Sequence, residues 1–254
     1  MKSATAGWLN KVPQVTLSFW IIKILSTTVG ETGADFLTVD AGFGVGATSI
    51  GMGVFLAVAL FWQMRTRTLT PWIYWLTVVL VSIVGTQITD ILTDILDVSL
   101  YASTAVFSIL LAINFLVWYW VEHSLSIREI VTPRRELFYW VTVLCTFALG
   151  TAAGDLATEA LGLGFTLGAV IFAVLIAATL MAWRMGCSSV LTFWIAYILT
   201  RPFGASLGDL LTQAKTYGGL GMGATWTSAI FLCVIVMLVA VAQISVVKRK
   251  AAIQ

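Results

Sequence analysis

The sequence predicts an all-α transmembrane protein, an eight-helix bundle built from four parallel two-helix repeats with both termini cytoplasmic. Three observations predict it. The 254 residues are 59% apolar and only 10% charged, whereas a soluble domain is about a quarter charged, and the mean hydropathy is +0.98. Several apolar runs exceed the ~18 residues that mark a bilayer span. Four segments align without gaps: WIIKILSTTVGETGADFLT (20–38), WLTVVLVSIVGTQITDILT (75–93), WVTVLCTFALGTAAGDLAT (140–158) and WIAYILTRPFGASLGDLLT (194–212).

The helices fall near 13–37, 45–64, 71–93, 100–121, 134–158, 162–183, 189–212 and 221–246. Pro13, Pro71 and Pro133 stand at or just before first turns, where proline is tolerated. Lys2 and Lys11 precede a first apolar stretch that is too long for a signal peptide and lacks a small-residue cleavage site, so it reads as a retained span. The basic residues then collect on one side. Arg65 and Arg67 follow helix 2, Arg128, Arg134 and Arg135 follow helix 4, Arg184 follows helix 6, and Lys248, Arg249 and Lys250 follow helix 8. The other side carries Asp35, Asp40, Asp90, Asp94, Asp97, Asp155, Glu159 and Asp209, with Lys215 as its cation. The positive-inside rule puts both termini in the cytoplasm.

Each aligned segment has Trp, then Gly ten residues on, Asp at fifteen and Thr at eighteen. The repeats run approximately 12–66, 67–123, 132–186 and 187–247 within one integral membrane domain spanning 1–254, with a basic cytoplasmic linker at 122–137. A two-helix repeat returns to the same side, so the copies are parallel and related by an axis along the membrane normal. Their aspartates meet near the outer end of the bundle.

The stretches FWIIKIL, GETGADFL, RRELFYW, ALGTAAGDL and FWIAYILTRPFGASLGDLL resemble a bacterial family of uncharacterised, multi-pass "membrane-anchored" proteins built from a repeat of unknown function. The resemblance covers nearly the whole chain. It implies a polytopic protein of the bacterial inner (plasma) membrane and brings no established chemistry, so function rests on the residues.

Trp20, Trp75, Trp140 and Trp194 fit an aromatic belt near the cytoplasmic face. Gly30, Gly85, Gly150 and Gly204 fit close helix approach in lipid, as do Gly44, Gly46, Gly51, Gly53, Gly162, Gly164, Gly168, Gly219, Gly221 and Gly223; a local helix break is the sharper alternative. The aspartates resist a bland reading. A carboxylate at a helix C-terminus opposes the macrodipole, and facing hydrocarbon it costs up to roughly 2.5–3.5 kcal/mol. Four at one register either enter outer headgroup water and cap the next helix or converge on a cation or proton pathway, and convergence is the preferred reading. Glu31 with Asp35, Asp90 with Asp94, and Asp155 with Glu159 are spaced i,i+4 on one face, with Thr38, Thr93, Thr158 and Thr212 three residues beyond each repeat aspartate. In the fourth repeat Gln213 replaces the second acid, and Arg201 precedes the kinking Pro202. Arg201 either neutralises part of the cluster or pairs with one carboxylate as a gate. Lys23 snorkels to the cytoplasmic face or, alternatively, meets an acid inside. Asn114 offers an interhelical hydrogen bond or a pore-lining group.

Cys145, Cys187 and Cys233 are spaced for neither zinc nor disulfides and read as buried thiols, and His123 reads as a solvated loop residue. Hydrolase, metalloprotease and nucleotide-binding motifs are missing, so an enzyme is not expected, nor a cofactor, nor nucleic-acid binding. The expected partners are the lipid bilayer and a small ion or solute; the oligomeric state is open. The leading function is a transporter of a divalent cation (Mn-, Mg- or Ca-like), with Asp35, Asp90, Asp155 and Asp209 as ligands, since oxygen donors suit hard cations. Crowded carboxylates also bind protons, which would allow proton coupling. The alternatives are a cation channel, a small-organic-solute exporter, and a non-transporting scaffold or receptor.

Overall fold

The computed structural model describes residues 10–251. Eight α-helices follow one another: α1 (Leu17–Asp35), α2 (Gly44–Arg65), α3 (Pro71–Asp90), α4 (Leu100–Glu122), α5 (Pro133–Asp155), α6 (Gly164–Arg184), α7 (Ser189–Thr212) and α8 (Ala224–Ala251). All but α1 are long and apolar enough to cross a membrane. Charge rather than length sets α1 apart: it carries Lys23, Glu31 and Asp35, and the first two are buried among the other helices. The chain is a multi-pass helical membrane protein.

Local chemistry sets the helix ends. Pro71 and Pro133 occupy the first turns of α3 and α5. Pro13 does not start α1; the helix begins at Leu17, where the Thr16 hydroxyl accepts the Phe19 N–H at 3.3 Å. At the far end α8 runs to Ala251, past the predicted stop at 246.

The first helix of each repeat, α1, α3, α5 and α7, packs on its two counterparts to close a four-membered ring. The motif glycines make this approach possible. A Cβ on Gly30 would strike Ser82, on Gly85 the Phe147 Cβ, on Gly150 the Arg201 stem, and on Gly204 Thr27. In each case the glycine of one repeat receives the residue seven positions after the tryptophan of the next, and repeat four closes onto repeat one. The ring therefore has pseudo-fourfold order, and these glycines pack without breaking their helices. The second helices surround the ring and are exchanged by one step. α2 packs on α3, α4 on α5, α6 on α7, and α8 on α1. Their buried share is 11–17%, against 50–61% for α3, α5 and α7. The exposed apolar side chains, such as Phe55 and Val58 on α2, Ile113 and Leu116 on α4, and Met237 on α8, make the lipid-facing coat. Several of the other glycines do not share the packing role. Gly46, Gly51 and Gly53 face open space, and Gly44 and Gly164 sit at positive φ where the chain turns into α2 and α6. Gly168, lodged against Thr158 and Ser206, is a true close contact.

Two further expectations are corrected. Trp75, Trp140 and Trp194 are buried, not in a belt; with Phe19, Tyr74, Tyr139 and Phe193 they seal the basic end of the ring. The tryptophans exposed near that end are instead Trp62, Trp72, Trp120 and Trp183. None of the three cysteines is buried: Cys145 is intermediate, and Cys187 and Cys233 are exposed. The basic end also holds glutamates. Buried Glu136 receives Lys11 at 2.5 Å and Gln63 at 3.2 Å, while Arg135 bridges Glu122 at 2.8 Å and Glu129 at 2.7 Å. Hydrogen bonding from Arg135 holds the Glu129 carboxyl below the usual glutamate range. A depressed carboxyl stabilises the fold above its unfolded pKa and loses that contribution as pH falls; at this exposed site the effect is small. His123 is exposed in left-handed backbone at the end of α4, and Lys2 lies outside the described residues.

Gly85→Ala should destabilise the protein by about 1–3 kcal/mol, because Phe147 Cβ at 2.6 Å and nearby α5 backbone cannot yield. Gly51→Ala, with nothing within 4 Å, should be neutral or stabilising by up to about 1 kcal/mol. Thermal unfolding of the two purified variants in detergent compares them directly.

Candidate functional site

The ring encloses an axis along which the side chains stack in layers. Near the basic end the Tyr74 and Tyr139 hydroxyls meet at 2.5 Å. One turn further, Lys23 reaches across to lie 4.0 Å from the Phe147 ring centroid and 4.3 Å from that of Tyr197. Its ammonium has no hydrogen-bond partner among the described residues. Lys23 therefore does not snorkel, and it does not meet an acid; its amine rests against aromatic faces.

The next layer is made by Arg201, which is fully buried. Its Nη2 donates to Glu31 Oε2 at 2.6 Å, to Thr151 Oγ1 at 2.7 Å, and to Thr86 Oγ1. These partners stand at one register: each follows the motif glycine of its repeat, Gly30, Gly85 or Gly150. A single nitrogen thus gathers one oxygen from each of the other three repeats. The fourth residue of that register is Ala205, on Arg201's own helix. Both sequence readings of Arg201 meet in this geometry, because the one carboxylate it pairs with, Glu31, also belongs to the acidic cluster. Pro202 sits inside α7 without ending it, and a Cβ added at Gly154 would meet it at 3.5 Å, ordinary van der Waals contact.

Beyond Arg201, towards the acidic end, the carboxylates of Glu31, Asp155 and Asp209 come within 4.8 Å of one another. They arrive from α1, α5 and α7. Asp209 and Glu31 are buried and Asp155 half-buried. The expected set of Asp35, Asp90, Asp155 and Asp209 is therefore changed in composition. Glu31 joins the two later aspartates, while Asp35 and Asp90 remain half-buried outside the trio.

The expected acid pairs are not equivalent. Glu31 lies one turn before its repeat aspartate and points inward; Asp94 and Glu159 lie one turn after theirs and are exposed at the rim. Just after the aspartate, the first three repeats pass into single π-helical turns, Phe36–Asp40, Ile91–Ile95 and Leu156–Ala160. Repeat four keeps its α-helix to Thr212. The repeated threonines serve these helix ends. Thr38, Thr93, Thr158 and Thr212 each donate to the carbonyl four residues earlier, at 2.8 to 3.1 Å. The Thr93 hydroxyl also has Asp94 Oδ1 at 2.9 Å as an alternative acceptor. Asn114 makes its interhelical bond, donating to Thr142 Oγ1 on α5 at 2.6 Å. A separate cavity of about 540 Å³ opens at the basic end among Thr16, Phe19, Trp75, Leu238 and Ser245, away from the carboxylates.

Sequence reasoning missed Thr86 and Thr151. The signal was present in the alignment column after the motif glycine, where Glu, Thr and Thr line up.

Breaking a buried ion pair leaves an uncompensated charge, so Glu31→Gln should cost about 3–5 kcal/mol. Asp94→Asn, at the exposed rim, should change stability by less than about 0.5 kcal/mol. Adding Arg201→Gln to Glu31→Gln should recover part of the loss, a coupling of at least about 1 kcal/mol in a double-mutant cycle of unfolding free energies.

No curated protein and no solved structure matches this chain. One family model does, in four consecutive copies over residues 18–68, 73–124, 138–185 and 192–246. The copies coincide with the four helix pairs that build the ring and its coat. The chain belongs to the family described as Repeat of Unknown Function (DUF347).

Proposed function

We propose that this chain is a membrane carrier for a small divalent cation, with Glu31, Asp155 and Asp209 as its oxygen ligands. The observation that carries the reading is the meeting of these three carboxylates, from three repeats, inside the bundle within 4.8 Å. Carboxylates are seldom gathered within membrane-spanning segments without a partner to neutralise them. Arg201 answers one of the three. The remaining pair matches the charge of a divalent ion, and oxygen-only donors favour hard ions of the Mg²⁺, Ca²⁺ and Mn²⁺ class.

A carrier fits better than an open cation channel, because Arg201, Phe147, Lys23 and the Tyr74–Tyr139 pair fill the axis on the basic side of the carboxylates. A docking scaffold fits less well, because the acids that converge face inward. The orientation is part of the same proposal. Arg65, Arg67, Arg128, Arg134, Arg184 and Lys248 cluster at one end. The positive-inside rule counts Lys and Arg and gives little weight to glutamates. The reading therefore puts the termini in the cytoplasm of a bacterial cell and the carboxylates towards its outer face.

The test is total metal content of cells expressing the protein, measured by elemental mass spectrometry after challenge with Mg²⁺, Ca²⁺ or Mn²⁺. One metal should shift relative to an empty-vector control, its sign giving the direction of transport. Asp155→Asn, Asp209→Asn and Glu31→Gln should each reduce the shift roughly tenfold or more, while Asp94→Asn and Glu159→Gln should keep most of it. An undiminished shift in Asp155→Asn and Asp209→Asn would remove the ligand assignment.

A further inference from the structure

Arg201 and the carboxylate trio share one residue. Glu31 holds Arg201 Nη2 at 2.6 Å and also contributes an oxygen to the trio with Asp155 and Asp209. The guanidinium is held lopsidedly. Nη2 touches three oxygens, whereas Nη1 and Nε, equally buried, have no hydrogen-bond partner among the described residues. A guanidinium in its final resting place normally uses its planar fork, with donors spread over several nitrogens. Here two of the three nitrogens are left over, beside a site lined with carboxylates.

The pseudo-symmetry isolates this arginine further. The same ring position holds Thr27, Ser82 and Phe147 in the other repeats, so the packing of the ring does not itself require a cation there. The three oxygens on Nη2 come from the three repeats that lack the arginine. They form a small cation-binding cradle into which the fourth repeat inserts its own cation.

We propose that Arg201 is a tethered competitor for the cation site: the guanidinium and the transported cation take turns on Glu31, with Thr86 and Thr151 as the latch that holds the arginine in its occupying position. This rests on the carrier reading and adds to it the group that must be displaced when the cation binds. A cation arriving between Asp155 and Asp209 completes its shell by taking Glu31, and Arg201 then turns its unused nitrogens elsewhere. The apparent affinity for the cation is the intrinsic affinity scaled by the fraction of molecules in which Glu31 is free.

The latch makes this testable without altering any charge. In the full-length protein in detergent, Mn²⁺ serves as the probe, titrated by calorimetry. Thr86→Val/Thr151→Val keeps Arg201, Glu31 and both aspartates and removes only the hydroxyls that favour the occupying position. Competition predicts that this variant binds Mn²⁺ several-fold more tightly than the native protein. A merely supportive arginine predicts equal or weaker binding, because loosening it disorders the site. Arg201→Gln, a second variant, should bind roughly tenfold more tightly. Millimolar guanidinium should compete with Mn²⁺ in Arg201→Gln but not in the native protein, whose cradle is filled from within. Gel filtration and thermal melting establish that each variant is folded; if one is not, the other carries the test. Equal or weaker Mn²⁺ binding in a folded variant overturns the competition while leaving the cation site standing. Absence of Mn²⁺ binding in the native protein and in both variants overturns the cation site and the competition together.

Discussion

The interior of this bundle depends on one guanidinium. A charge removed from water into a low-dielectric core costs several kcal/mol unless it is paired and hydrogen-bonded. Arg201 meets that demand by drawing Glu31, Thr86 and Thr151 onto a single nitrogen. Those three residues stand on α1, α3 and α5, and Arg201 stands on α7, so the requirement fixes all four inner helices about a common axis. It also sets the axial register, since each partner must sit directly after the glycine at which its helix meets a neighbour. Ion pairing and close packing thus act at one level of the bundle.

Close packing supplies the rest of the architecture. Because each motif glycine receives a side chain from the following repeat, the helices approach in a cyclic order that closes with the fourth member. The second helices are then too far from their own partners to cover them and lie instead on the next inner helix. This exchange leaves no repeat as an independent unit: the hairpin of one repeat is covered by its neighbour's, and cooperativity is built into the topology. The single π turns follow the repeat aspartates in the three repeats that do not carry the arginine. Such turns concentrate at functional sites. Here they widen the helix just where Asp35, Asp90 and Asp155 end their α-helical segments.

Much of this was legible in the sequence, and the omissions have physical causes. Hydropathy gave the eight helices, because a bilayer accepts long apolar helices and little else. The spacing of Trp, Gly, Asp and Thr gave the repeats. What the spacing could not give was the order in which the repeats meet, and that order decides which acids converge. Glu31 and Asp94 look alike as i,i+4 partners of an aspartate, yet Glu31 precedes Asp35 by one turn and points to Arg201, while Asp94 follows Asp90 and reaches solvent. The tryptophans were misjudged for a related reason. A belt and a plug use the same residue at the same depth, and only the closure of the ring turns Trp75, Trp140 and Trp194 inward. The threonines invited a ligand role, but a hydroxyl three residues after a helix-ending aspartate is within reach of its own backbone carbonyl, and the shorter reach prevails.

The chemistry of the axis lies where the fourfold pattern fails. A perfect fourfold ring would present four identical residues at each level and would gather either four like charges or none. In this chain the level of Lys23 is completed by Val78, Val143 and Tyr197, and the level of Arg201 by Thr27, Ser82 and Phe147. Both side chains lie against the same Phe147 ring, Lys23 at 4.0 Å and Arg201 at 5.9 Å from its centroid. On the carrier reading, this arrangement explains why the axis needs both a glutamate that is out of register with the repeat aspartates and an arginine that is unique to one repeat. The symmetric positions hold the helices together; the asymmetric ones bring Arg201 onto Glu31 beside Asp155 and Asp209. A duplicated hairpin that stayed symmetric could build the ring, but on the carrier reading it could not make one carboxylate choose between two cations.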